Sequence, residues 1–176
     1  MSIPVKTKLS WPLSLDEAKR HLRVDADYHE DDDYIQQLIY ASTAKAEQYI
    51  GKDISETVNV QELWDWSGNY VKLMEGNFIS FTSAITDAST ALTVSETHIQ
   101  YNYFYVVFSE STSADPLTIT FKTGFEEGNC PALIKQAVLL EVANLYDVDR
   151  LSYAPGSVKE TKAFERLLDS FRLIFF

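Results

Sequence analysis

The chain has 176 residues, 45% of them hydrophobic, a net charge of −11 and a single cysteine. That is enough apolar material for one core, in one domain or a domain carrying a sub-domain, and the lone cysteine excludes an internal disulfide. No stretch approaches the roughly 20 apolar residues that span a bilayer, and the first fourteen residues hold no signal-peptide run, so a soluble, cytoplasmic chain is expected. The acids are unevenly spread: residues 24–51 carry seven Asp or Glu against one Lys, and 52–128 carry eleven against three. Without a basic stripe, tight nucleic-acid binding is not expected.

In chain order, Ser14-Leu-Asp-Glu17 reads as a capping box opening a short helix to Arg23, with Leu15, Ala18 and Leu22 on one face. The run Val24-Asp-Ala-Asp-Tyr-His-Glu-Asp-Asp-Asp-Tyr34 follows, with six acids in positions 25–33. A longer helix then carries Ile35, Leu38, Ile39, Ser42, Ala46, Tyr49 and Ile50 at helical intervals and ends at Gly51. Asp31, Asp32 and Asp33 fall at its N-cap and first turn, where free amides and the helix dipole offset their charge.

From about residue 56 the period becomes two. Val58 and Val60 alternate with Thr57, Asn59 and Gln61; Tyr101, Tyr103, Tyr105 and Val107 alternate with Phe104, Val106 and Phe108; Leu117, Ile119 and Phe121 alternate with Thr118, Thr120 and Lys122. Shorter runs at 70–74, 78–81 and 91–94 complete an antiparallel sheet or small barrel over 56–123. Pro131 then starts a third helix at its first position with Cys130 as N-cap, apolar on nearly every side through Leu133, Ile134, Ala137, Val138, Leu139, Leu140, Val142, Ala143, Leu145 and Tyr146. Such a helix needs burial on more than one face. A loop over 147–157 and a final helix over about 159–172, striped by Ala163, Phe164, Leu167, Leu168 and Phe171, lead to the apolar end Leu173-Ile-Phe-Phe176. The expected architecture is α+β: a mainly α-helical four-helix bundle interrupted by an inserted antiparallel β segment. Its parts are a helical part at 1–55, the insertion at 56–128 and a closing helical part at 129–176.

Three sites invite chemistry. An EF-hand loop starting at Asp25 fails at its bend and its closing ligand, where Glu30 and Gln36 stand in place of glycine and glutamate. A looser cation site of Asp25, Asp27 and His29 is the weaker reading, against capping plus a solvated acidic loop. Cys130 at a helix start could have a lowered thiol pKa, but no local signature surrounds His21, His29 or His98, and a lone thiol beside proline is more often a small hydrophobe. Trp64 and Trp66, two apart, resemble a sugar-binding platform, and the core of a small sheet explains them better. The six glycines form no phosphate-binding motif.

Taken in order, three stretches resemble the head–tail connector family of tailed bacteriophages and prophages, also called adaptor or head-completion proteins. They are Ser14-Leu-Asp-Glu-Ala-Lys-Arg-His-Leu-Arg-Val-Asp25 with the helix to Gly51; Ile119-Thr-Phe-Lys-Thr-Gly-Phe125 with Pro131 to Tyr146; and Phe164-Glu-Arg-Leu-Leu-Asp-Ser-Phe-Arg172. The long β segment looks like the larger branch of that family. The resemblance implies a structural protein with no enzymatic activity and no cofactor. About a dozen copies would form a ring beneath the portal protein at the head–tail junction of the virion, after assembly in the bacterial cytoplasm. The ring would extend the DNA channel without specific binding and offer a platform to a downstream stopper or tail protein.

On that resemblance the carboxy-terminal region docks on the portal through Phe164, Leu167, Leu168, Phe171, Arg172, Ile174, Phe175 and Phe176. Leu133, Val138, Leu139, Val142 and Tyr146 are expected at subunit interfaces, and Asp25, Asp27, Glu30 and Asp31 on the channel wall. A ligand- or carbohydrate-binding module using the aromatic β segment is the alternative, and a metal-dependent enzyme at 25–33 is the third reading.

Overall fold

A computed structural model describes residues 3–73, 77–100, 103–146 and 162–172. The described elements are β1 (Val5–Lys8), α1 (Leu15–Leu22), α2 (Asp32–Ile50), β2 (Thr57–Leu63), β3 (Trp66–Leu73), β4 (Phe78–Thr86), β5 (Val94–Gln100), β6 (Tyr103–Ala114), β7 (Leu117–Thr123), α3 (Ala132–Tyr146) and α4 (Ala163–Leu168), with a 3-10 turn at Asp169–Phe171. Among the described residues strand residues outnumber helical ones, so the molecule is α+β but is not the mainly helical four-helix bundle expected. Two things overturn that expectation. The β segment is an architecture with its own core rather than an interruption, and α4 spans six residues before tightening into the 3-10 turn.

The chain divides into two compact units: Met1–Ser10 with Ser55–Glu126, and Trp11–Ile54 with Glu127–Phe176. In the strand unit one sheet runs β1-β2-β7-β4 and the other β3-β6-β5, all neighbours antiparallel. Their inner faces share one core of Val71, Leu73, Ala84, Phe104, Val106, Phe108, Leu117, Ile119 and Phe121. Along β6 and β7 the buried residues are those the alternation placed on one face. Strand β1 has no counterpart in the sequence reading, because Val5-Lys-Thr-Lys8 is too short to display a period.

Strand β2 buries the face that composition would send outward. Thr57, Asn59 and Gln61 are buried, whereas Val60 is 36% exposed. The Thr57 hydroxyl donates to the Ser55 carbonyl at 2.9 Å, and the Asn59 amide donates to the Thr123 hydroxyl at 2.7 Å. Those bonds offset part of the cost of taking polar groups out of water.

In the helical unit α2 packs on α3, and α3 on α4. Ile35, Leu38, Ile39, Ala46 and Ile50 of α2 are buried, as are Ile134, Ala137, Val138 and Val142 of α3 and Phe164 and Leu168 of α4. The capping box forms as its spacing predicts: the Glu17 amide donates to the Ser14 hydroxyl at 3.2 Å, and the Ser14 amide donates to the Glu17 carboxylate at 2.9 Å. Gly51 ends α2 at φ 72°, its amide donating to the Glu47 carbonyl at 2.9 Å. Phe164 lies edge-on against Tyr49, with the Lys45 ammonium 5.0 Å above its ring. Truncating it, Phe164→Ala, is expected to cost about 3–4 kcal/mol in urea unfolding, since this buried ring joins α4 to α2.

Candidate functional site

The acidic run is organised by a residue outside it. Lys19 occupies the helical face of α1 that Leu15 and Ala18 also occupy, and its side chain is 3% exposed. Its ammonium donates to the Ala26 carbonyl (3.0 Å), the Tyr28 carbonyl (2.6 Å) and Asp32 Oδ1 (2.7 Å). Three donors meet three acceptors, and the loop 24–31 is thereby wrapped around one buried cation. The sequence reading missed this residue. Its signal was a lysine four positions after Leu15 on an apolar face, which helical spacing alone marks as unusual.

The acids then separate by task. Asp32 also meets His29 Nδ1 at 2.7 Å. The Lys19 hydrogen bond first, and the His29 bond second, hold its carboxyl below the ordinary value of 3.8. Asp31 sits at the N-cap of α2, but its side chain makes no capping bond; Oδ2 instead accepts from the Tyr146 hydroxyl at 2.8 Å, tying the loop to the end of α3. Asp33 lies in the first turn beside the helix dipole. Asp25, Asp27 and Glu30 remain exposed. The candidate cation ligands Asp25, Asp27 and His29 do not converge: among the described residues no three His, Cys, Asp or Glu side chains are placed to hold a metal ion.

Cys130 is not the N-cap expected of it, while its burial accords with the small-hydrophobe reading. Pro131, not Cys130, supplies the carbonyl that accepts the first helical bonds, from the amides of Ile134 and Lys135. Burial pushes the thiol up to about 11, the opposite of the dipole-lowered value considered for a helix start. Alkylation by iodoacetamide at pH 8 is therefore expected to run at least tenfold slower than for an unfolded control peptide, and to speed up on denaturation. Equal rates in the folded and unfolded chain would overturn that assignment.

Trp64 and Trp66 do not share a strand. Trp64 stands 59% exposed in the turn between β2 and β3. Trp66 is half-buried, edge-on to Phe108 at 5.7 Å, with its indole donating to the Tyr70 carbonyl at 3.3 Å. One ring is spent on the core, as the packing reading expects, and two ligand-facing platforms are not formed.

The expected docking residues split between core and surface. Phe164 and Leu168 are buried, Leu167 and Phe171 are half-buried and Arg172 is exposed, its guanidinium 5.4 Å over Tyr49. Ile174, Phe175 and Phe176 lie outside the described residues. On α3, Val138 and Val142 are completely buried, while Leu139 and Tyr146 are half-exposed and Leu133 is 50% exposed.

Among the described residues the site surfaces are thus an acidic loop with exposed carboxylates braced by Lys19 and a partly exposed face of α3. The chain belongs to the phage gp6-like head-tail connector protein family, whose model matches residues 12–124. Among solved structures it is similar to a chain of the neck of an empty GTA particle computed with C6 symmetry. That match has a TM-score of 0.75 and 18% identity, covering 98% of this chain and 97% of the other. It is also similar to a chain of the virion of a native gene transfer agent particle, at TM-score 0.74 and 17% identity with the same coverage. At such identities the likeness is one of fold. No curated protein sequence matches the chain.

Proposed function

We propose that this head–tail connector assembles as a ring of about a dozen copies at the head–tail junction of a virion. The ring docks beneath a portal protein, extends the DNA channel and seats a downstream stopper or tail component; the chain performs no catalysis. The family match over 12–124 carries this reading, and the fold shared with a neck component of a particle computed with C6 symmetry supports it.

Within the ring, Leu133, Leu139 and Tyr146 form the exposed part of a subunit contact backed by the buried Val138 and Val142. Leu167, Phe171, Arg172 and the tail Ile174 to Phe176 engage the portal, with Phe164 and Leu168 fixing α4 beneath them. Asp25, Asp27, Glu30 and Asp31 face the channel. A wall of carboxylates offers DNA no cations and hence no counterion-release binding, so the duplex slides. Assembly takes place in the host cytoplasm before the particle is complete.

Mass measurement in solution with negative-stain imaging, with and without a portal protein, tests the reading. Rings of about twelve copies, alone or on the portal, are expected; a chain that stays monomeric and ignores the portal would sink it. The Asp25→Lys/Asp27→Lys/Glu30→Lys variant should assemble normally and bind duplex DNA in a salt-dependent way that the parent does not. Unchanged DNA binding by the assembled variant would remove these residues from the channel wall.

A further inference from the structure

The strand unit has two sheet ends that differ in charge and in regularity. Of its four edge strands, β4 is broken by two register shifts and β3 by one at Gly68/Tyr70, interruptions of the kind that discourage strand addition. Strand β1 pairs with β2 without interruption, and β5 pairs with β6 in one register from Glu96 to Gln100 after a single shift between Val94 and Glu96. Both present apolar side chains to solvent: Val5 is 69% exposed on β1, and Ile99 is 65% exposed on β5.

The charges on these edges select a partner. Strand β1 carries Lys6 and Lys8 and no acid; β5 carries Glu96, with His98 Nδ1 3.7 Å from its carboxylate, and no lysine or arginine. Adding β1 to another β1 would set lysine against lysine, and like charges opposed across a ladder destabilise it. Adding β1 to β5 in the antiparallel register that sets Lys6 opposite Glu96 pairs a lysine with a glutamate. An interface between two different edges is head-to-tail, and head-to-tail contacts build rings where the rotation between copies closes and filaments where it does not, whereas a self-complementary edge would stop at a two-fold dimer.

We infer that β1 of one copy adds to β5 of the next copy, on the edge that carries no strand among the described residues, so that the ring is stitched by a strand pairing around its circumference. The inference rests on the ring reading above. It assigns that ring a second contact, distinct from the α3 surface, whose occupant is a second copy of this chain.

The test is self-association of the full chain, measured by mass photometry over a concentration series, with and without portal protein. Lys6→Glu and Glu96→Lys are each expected to raise the concentration for half-assembly at least fivefold, while circular dichroism shows both variants folded. An equimolar mixture of the two single variants should recover assembly, because copies alternating around the ring set the altered β1 of one against the altered β5 of the other, and the unaltered strands against each other, always with opposite charges. The double variant Lys6→Glu/Glu96→Lys should return to within about twofold of the parent. Rings that form unchanged in both single variants would overturn the strand pairing and leave the ring reading standing. Single losses that the double variant does not reverse would overturn the pairing as well. A parent chain that forms no ring under any condition would take down both.

Discussion

Replacing Lys19 by methionine is expected to destabilise the chain by about 3 kcal/mol, read as a lower urea midpoint with an unchanged slope. Methionine has nearly the reach and volume of the lysine stem, so packing is largely kept and the loss isolates the ammonium. What remains is the Ala26 and Tyr28 carbonyls and one Asp32 oxygen, all deprived of a donor that sits at 3% exposure. Removing one partner of a buried charged cluster costs more than the pair contributes when intact, because the groups left behind stay desolvated. Arginine should not rescue it: a planar fork cannot aim three donors at three acceptors placed around a point. A Lys19→Met chain as stable as the parent would refute the assignment.

The same cluster sets a pH dependence. Asp32 is held below its ordinary 3.8 by Lys19 and then His29. A carboxyl lowered on folding contributes stability that is fully present above 3.8 and is lost as the pH falls through the folded value. The loop should therefore stay closed at pH 4 and open below that, followed by the amide signals of residues 26–32 in an acid titration. In Asp32→Asn the acid transition of these signals should disappear.

Much of the run Val24–Tyr34 could be read in advance, but its decisive contact could not. That Asp31 and Asp32 begin a helix follows from composition and the dipole. That Lys19 and Tyr146 close the loop does not, since the partners lie 13 and 115 residues from Asp32 and Asp31 respectively. Residues this far apart meet only through the packing of α1, α2 and α3, which no local period encodes. The same reason explains Cys130, whose sequence neighbourhood suggests a helix start but whose thiol responds to burial.

Strand periodicity shows a comparable division. For β6 and β7 the apolar face is the buried face, so alternation gave both element and orientation. For β2 it gave the element alone: the Thr57, Asn59 and Gln61 face is the buried one, held by hydrogen bonds to Ser55 and Thr123 that a one-dimensional pattern cannot show. Helix count misled for a related reason. Four helical periods can be read, but weight follows the number of strands and their shared core, and among the described residues a seven-strand unit outweighs helices of eight, nineteen, fifteen and six residues.

Gly124→Ala is expected to be the most damaging small substitution in the strand unit, at about 4 kcal/mol, or roughly 2 M in urea midpoint. Two costs combine. Gly124 has φ +96°, a conformation L side chains rarely adopt, and an added Cβ would stand 1.9 Å from the Ser55 carbonyl oxygen and 2.5 Å from its carbon. Both obstructing atoms are backbone, so no rotamer change relieves the collision. The chain there is pinned on both sides: the Gly124 amide donates to the Asn77 carbonyl at 2.8 Å, and Ser55 bridges to Phe125. Moving either segment gives up hydrogen bonds where β7 leaves its sheet. Gly68→Ala supplies the control, since Gly68 has φ +136° and a Cβ added there would meet no atom within 4 Å. That variant should lose only about 1 kcal/mol, from the backbone conformation alone. Equal losses at the two glycines would show that φ, not the approach of Ser55, sets the requirement at 124. A larger loss at 124 explains in physical terms why glycine stands in Ile119-Thr-Phe-Lys-Thr-Gly-Phe125: two backbones touch there, leaving no space for a methyl group.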